Sequence, residues 1–81
     1  MNNSILAIVV PCFNEEEVLP STNEQLVGLL GGMIRDGLVG EGSFILYVDD
    51  GSRDRTWSLI EGYGQADVHV RGLKLAGNVG H

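Results

Sequence analysis

The spacing of apolar residues divides the chain into three short strand-like runs separated by two stretches of helical period. Ile5-Leu6-Ala7-Ile8-Val9-Val10 is a continuous apolar run rich in β-branched residues, the pattern of a central strand covered on both faces. Pro11 is expected to end it, because proline cannot donate to a sheet ladder. Leu19, Leu26, Leu29, Leu30 and Met33 then recur at helical spacing, predicting an amphipathic helix from about Glu17 or Pro20 to Asp36. Glu15, Glu16 and Glu17 suit the dipole of its first turn. Gly28, Gly31 and Gly32 weaken the helix by up to ~1 kcal/mol each, unless they mark close packing against a sheet.

After a return loop at Gly37, Gly40 and Gly42, Phe44 to Val48 forms the second apolar run. Val48-Asp49-Asp50-Gly51-Ser52-Arg53-Asp54-Arg55-Thr56 follows as strand, acidic turn and helix start, with Ser52 or Asp54 suited to cap. The second helix should run from about Asp54 to Tyr63 and close at Gly62 and Gly64. Val70 to Leu75 reads as a third strand, with a more exposed face or at an edge. Strand-helix-strand crossovers are almost always right-handed, so all three strands run parallel and end on one edge. That brings Pro11 to Glu15 beside Asp49 to Asp54, at the edge where open parallel sheets bind ligands. For the acidic stretch alone, a solvated turn with a capping acid is an equally ordinary reading.

Composition narrows the classes. With 81 residues, a formal charge of -6 and 43% hydrophobic residues, the chain is one soluble domain at most. Eleven acidic residues against 5 basic ones, with no basic patch, argue against nucleic acid. No apolar run approaches the ~20 residues of a membrane span, and the start lacks a signal peptide's basic segment, so a cytoplasmic setting is expected. Cys12 stands alone, which excludes an internal disulfide, and no base accompanies it as for a nucleophile. Trp57 and Tyr63 fit packing, His69 a surface or edge position, and Arg53 and Arg55 exposed pairing with acids.

Three segments together resemble a known family. Val10-Pro11-Cys12-Phe13-Asn14-Glu15-Glu16-Glu17, the acidic stretch from Val48 to Thr56, and Gly77-Asn78-Val79-Gly80-His81 are similar, in order and spacing, to the amino-terminal part of family 2 glycosyltransferases. The nearest likeness is to the branch that moves a sugar from a nucleotide sugar to a polyprenyl phosphate, undecaprenyl or dolichyl. The resemblance implies the Rossmann-like nucleotide-binding half of a GT-A fold: α/β, three parallel strands in order 3-2-1 with crossover helices, and an incomplete domain over residues 1–81. It implies a nucleoside-diphosphate sugar of uridine or guanosine as donor and transfer with inversion.

By the same resemblance, Pro11 and Phe13 border the base, with Phe13 stacking on it, and Asn14 and Glu15 follow, Glu15 towards the ribose. Asp49 and Asp50 hold the base edge and help to frame the diphosphate. His81 matches the family's third motif but sits at the last residue and is not counted among the site residues. The family's cation, Mg²⁺ or Mn²⁺, is held by an Asp-x-Asp motif that these residues lack; adjacent Asp49 and Asp50 point apart in an extended segment and are not that motif. No catalytic residue and no metal ligand is therefore expected here, and the piece alone should be inactive. Its first strand would keep one edge unpaired, open to self-association, and any membrane contact at the cytoplasmic face would come from later segments. Two other classes compete. A dinucleotide oxidoreductase needs Gly-x-Gly-x-x-Gly where Pro11-Cys12-Phe13-Asn14 stands, and a receiver-like signalling module needs a carboxylate after its third strand, where Ala76-Gly77-Asn78 offers none.

Overall fold

The computed structural model describes residues 3–75. Along the chain come β1 (Ala7–Cys12), α1 (Leu19–Arg35), β2 (Phe44–Asp49), α2 (Thr56–Ala66) and β3 (Val70–Lys74). The strands form one parallel sheet in the order β1-β2-β3, the expected 3-2-1 arrangement viewed from the other edge. Ala7 lies opposite Phe44 and Cys12 opposite Asp49, while Asp49 also faces Lys74 on β3.

Both helices cover the same face. From β2, the Tyr47 hydroxyl donates to Asn23 Oδ1 of α1 at 2.8 Å, and its ring meets Tyr63 of α2 with centroids 6.5 Å apart. Leu19, Leu30, Ile45, Tyr47, Ile60 and Val70 are buried between the layers. Each fully buried side chain of this kind contributes roughly 1.5–3 kcal/mol. The opposite sheet face is open: Val9 is 57% and Leu73 48% exposed, and the Arg71 guanidinium lies 4.0 Å from the Phe44 ring centroid.

Several boundaries differ from the sequence reading. β1 does not stop before Pro11 but includes it, paired with Val48. At the two ends of β1 the carbonyls of Leu6 and Cys12 accept from Phe44 and Asp50, so even-numbered residues serve β2. The backbone of odd-numbered Pro11 thus faces the free edge, where a missing N–H costs no ladder bond. Among the described residues β1 is an edge strand and β2 the middle one, so the run at Ile5 to Val10 is covered on one face only.

α1 begins at Leu19 with no acid in its first turn. Pro20 sits where a helix needs no N–H. The helix ends in a Schellman turn: Gly37, at φ 74°, donates to Ile34 O, and Leu38 donates to Met33 O. A Cβ added at Gly28 or Gly31 would meet nothing within 4 Å, so these glycines do not mark close packing. α2 runs on to Ala66 through Gly62 and Gly64 instead of closing there. A Cβ at Gly64 would lie 3.4 Å from Val70 O, an ordinary contact, so this glycine does not mark close packing either.

Candidate functional site

β1 and β2 end together, and the two loops leaving them are knitted into one body. Asp50 N donates to Cys12 O at 3.0 Å, carrying the pairing one step beyond the strands. Asn14 N then donates to Ser52 Oγ at 2.8 Å, and Arg53 N returns a bond to Asn14 Oδ1 at 2.9 Å. Glu15 N donates to Thr56 Oγ1 at 2.8 Å, and Glu16 N to Asp54 Oδ2 at 3.2 Å. Two left-handed residues make the geometry possible: Gly51 at φ 81°, where glycine pays no steric penalty, and Asn14 at φ 51°, a conformation asparagine tolerates. Sequence reasoning placed the loops side by side, and they are.

Asp54 organises the junction. Its Oδ1 accepts from Thr56 N at 2.9 Å and Thr56 Oγ1 at 2.5 Å, while Oδ2 takes Glu16 N. Partial desolvation disfavours its charged form, yet the hydrogen bonds from Thr56 and Glu16 outweigh that and hold the carboxyl below its ordinary range. Asp54 therefore serves the helix start, while Ser52 serves the opposite loop. The same bonds explain why the glutamates precede α1: the N–H groups of Glu15 and Glu16 are tied to the second loop, and Glu15 O accepts from Val18 and Leu19 as the helix begins. Thr56, fully buried, was missed in the sequence; its signal was a hydroxyl at a helix start two residues after an aspartate.

The candidate residues are not equivalent. Phe13 is 50% exposed, Pro11, Asn14 and Asp50 are exposed, and Glu15 is half-buried. Asp49 has no exposed surface. Its Oδ1 accepts from Ser52 N at 3.3 Å, and its Oδ2 has no hydrogen-bond partner. A buried acceptor left unpaired costs on the order of 1–3 kcal/mol and calls for an explanation. A cavity of about 380 Å³ lies against Asn14, Glu15, Glu16, Glu17 and Asp54, and one of about 210 Å³ against Pro11, Cys12, Glu15 and Thr22. Glu15 lies between the two. A third hollow, beside Trp57 and Arg71, is on the β3 side away from these loops.

The remaining polar groups have other tasks. Arg55 Nε lies 3.3 Å from Glu16 Oε2 with its own side chain 83% exposed, a pairing worth little in water. Burial pushes the Cys12 thiol up, and the carboxylates of Glu15 and Asp49 push it further, so it is held as an inert thiol. His69 is half-buried at the far end of the sheet, its Nδ1 2.9 Å from Ser43 O. Among the described residues no three His, Cys, Asp or Glu side chains converge to hold a cation. Asp54 has both oxygens engaged and Asp49 is enclosed, so these acids do not fit a metal. The motif at residues 77–81, His81 included, lies outside the described residues.

The profile of Glycosyl transferase family 2 matches residues 7–81. The chain belongs to this family. It corresponds to the amino-terminal part, and the oxidoreductase and receiver-like readings fall away. The chain is 54% identical over 77 residues to an uncharacterized glycosyltransferase, YkoT, of Bacillus subtilis (strain 168), covering 95% of this chain and 23% of the relative. It is 33% identical to a dolichyl-phosphate beta-glucosyltransferase of Dictyostelium discoideum, covering 99% of this chain and 25% of the relative. It is 32% identical to an undecaprenyl-phosphate 4-deoxy-4-formamido-L-arabinose transferase of Shewanella sediminis (strain HAW-EB3), covering 98% and 22%. The chain thus spans about a quarter of the length of these relatives. No solved structure matches it significantly.

Proposed function

We propose that these residues are the nucleotide-recognising part of a glycosyltransferase whose complete chain moves a sugar, with inversion, from a nucleoside-diphosphate sugar to a polyprenyl phosphate. The observation carrying the reading is the locked pair of loops at the carboxyl edge of a parallel sheet, which presents Phe13, Asn14, Glu15 and Asp50 together. Phe13 offers a flat face for a base and Pro11 borders it. Glu15, between the cavities, is placed to accept from ribose hydroxyls, and Asp50 from a ring N–H, both as charge-assisted bonds. The lipid-phosphate acceptor is supported by the printed activities of the Dictyostelium and Shewanella relatives. No described helix is long and apolar enough to cross a membrane. Contact with such a lipid, at the cytoplasmic face, would then rest on other segments, as would a divalent cation.

Calorimetric titration of the complete protein with uridine diphosphate, guanosine diphosphate and NAD tests the reading. One of the two diphosphates should bind and NAD should not. Binding of NAD alone would discard it.

A further inference from the structure

Building on that reading, we propose that Asp49 does not touch the nucleotide but acts as the positioning residue of the site, setting the acidic turn and, through it, the opposite loop. The carboxylate is enclosed on the helix-covered side of the sheet at the last residue of the middle strand. Its backbone is clamped on one side by Leu75 N donating to Asp49 O at 2.9 Å, and on the other Asp50 N is held by Cys12 O. From that fixed point Oδ1 accepts Ser52 N at 3.3 Å and closes the turn over Gly51. Ser52 Oγ accepts Asn14 N, and Asn14 Oδ1 accepts Arg53 N. One oxygen thus anchors a relay of three bonds that fixes Asn14 in its left-handed conformation and leaves Asp50, the next residue, exposed at the rim. The chain carries two adjacent aspartates because the tasks differ: the enclosed one shapes the turn and the exposed one meets the ligand.

A positioning role needs the acceptor oxygen, not the charge, which separates it from direct contact. In the complete protein, amide hydrogen exchange over residues 13–17 and 50–55 and calorimetric affinity for uridine and guanosine diphosphates should be measured for Asp49→Asn, Asp49→Ala and Ser52→Ala. Asp49→Asn keeps an oxygen for Ser52 N, so protection of both loops should persist and affinity should stay within about threefold. Asp49→Ala should lose protection in both loops and about 10-fold or more in affinity. Ser52→Ala keeps the Asp49 bond and should deprotect Asn14 and, through it, Arg53, while Ser52 N stays protected. Equal loss of affinity in Asp49→Asn and Asp49→Ala with both loops still protected would mean direct contact and overturn the proposal. So would loss of protection spreading into the core strands in Asp49→Asn. Should neither diphosphate bind the parent protein, the functional reading fails, and the exchange pattern still decides this one.

Discussion

Phe13 and Asp50 divide the rim of the site between a flat apolar face and a charge, both open to solvent. Replacing either with alanine in the complete protein should weaken nucleoside-diphosphate binding by about 1–3 kcal/mol, through a lost stacking face or a lost charge-assisted bond. Unchanged calorimetric dissociation constants, with the fold intact, would remove both from the site. Asp54 supports a pH prediction. Its folded value lies below the unfolded one, so its bonds contribute fully above the ordinary carboxylate value of about 4 and are lost as pH falls through the folded value. Urea midpoints should therefore drop on acidification more in the parent than in Asp54→Asn, which retains an acceptor but no titrating group. At this scale the sequence disclosed which residues gather at the edge, because topology alone decides that. It could not divide Asp49 from Asp50, since the inward side of β2 follows the alternation Ile45, Tyr47, Asp49, and the continuous apolar run from Phe44 to Val48 does not show which set faces the helices. Nor could it find the Thr56 bridge, which depends on two loops 41 positions apart meeting at one hydroxyl.

Glycine separates the elements most clearly. On α1, Gly28 is exposed and a Cβ there would meet nothing within 4 Å, so Gly28→Ala should stabilise the protein by about 0.5–1 kcal/mol through helix propensity. On β3, a Cβ at Gly72 would come within 2.5 Å of Ile60 Cγ2 and 3.1 Å of Trp57. Ile60 is buried and cannot swing aside, so Gly72→Ala should cost about 1–3 kcal/mol by overpacking. Both shifts can be read from denaturant midpoints, and the opposite signs make the pair a test of how α1 and α2 sit. These glycines look alike in the sequence, because spacing tells how often a residue recurs and not what lies across from it. The same limit explains Pro11. Proline forbids a ladder bond only on the side where one is made, and that side is fixed by register with β2, which apolar periodicity does not contain.

At the scale of the molecule, one sheet layered with helices on a single face carries the proposed site, and in that reading these residues recognise the donor while the rest of the chain completes the transfer. Inverting transfer needs a positioned acceptor oxygen, a base unless that oxygen is already anionic, and positive charge for the leaving diphosphate. Around the described loops stand Glu15, Glu16, Glu17, Asp50 and Asp54, and of the two nearby arginines Arg55 is paired with Glu16. In the proposed reading, surroundings this rich in acid suit the N–H of a base and the hydroxyls of a ribose better than the phosphates of a diphosphate. Among the described residues the sheet is also bare on one face and along one edge of β1, with Val9 and Leu73 exposed, at a size where a single core is marginal. The 81 residues by themselves should therefore associate into dimers or larger species, and Val9→Lys should shift light-scattering mass towards the monomer. Incubated with Mg²⁺, labelled uridine- and guanosine-diphosphate sugars and a polyprenyl phosphate, they should give no product above the enzyme-free rate, while the complete chain turns over. Product from the 81 residues alone would place catalysis in groups assigned here to recognition, and the acidic loops would then have to activate the acceptor as well as hold the donor.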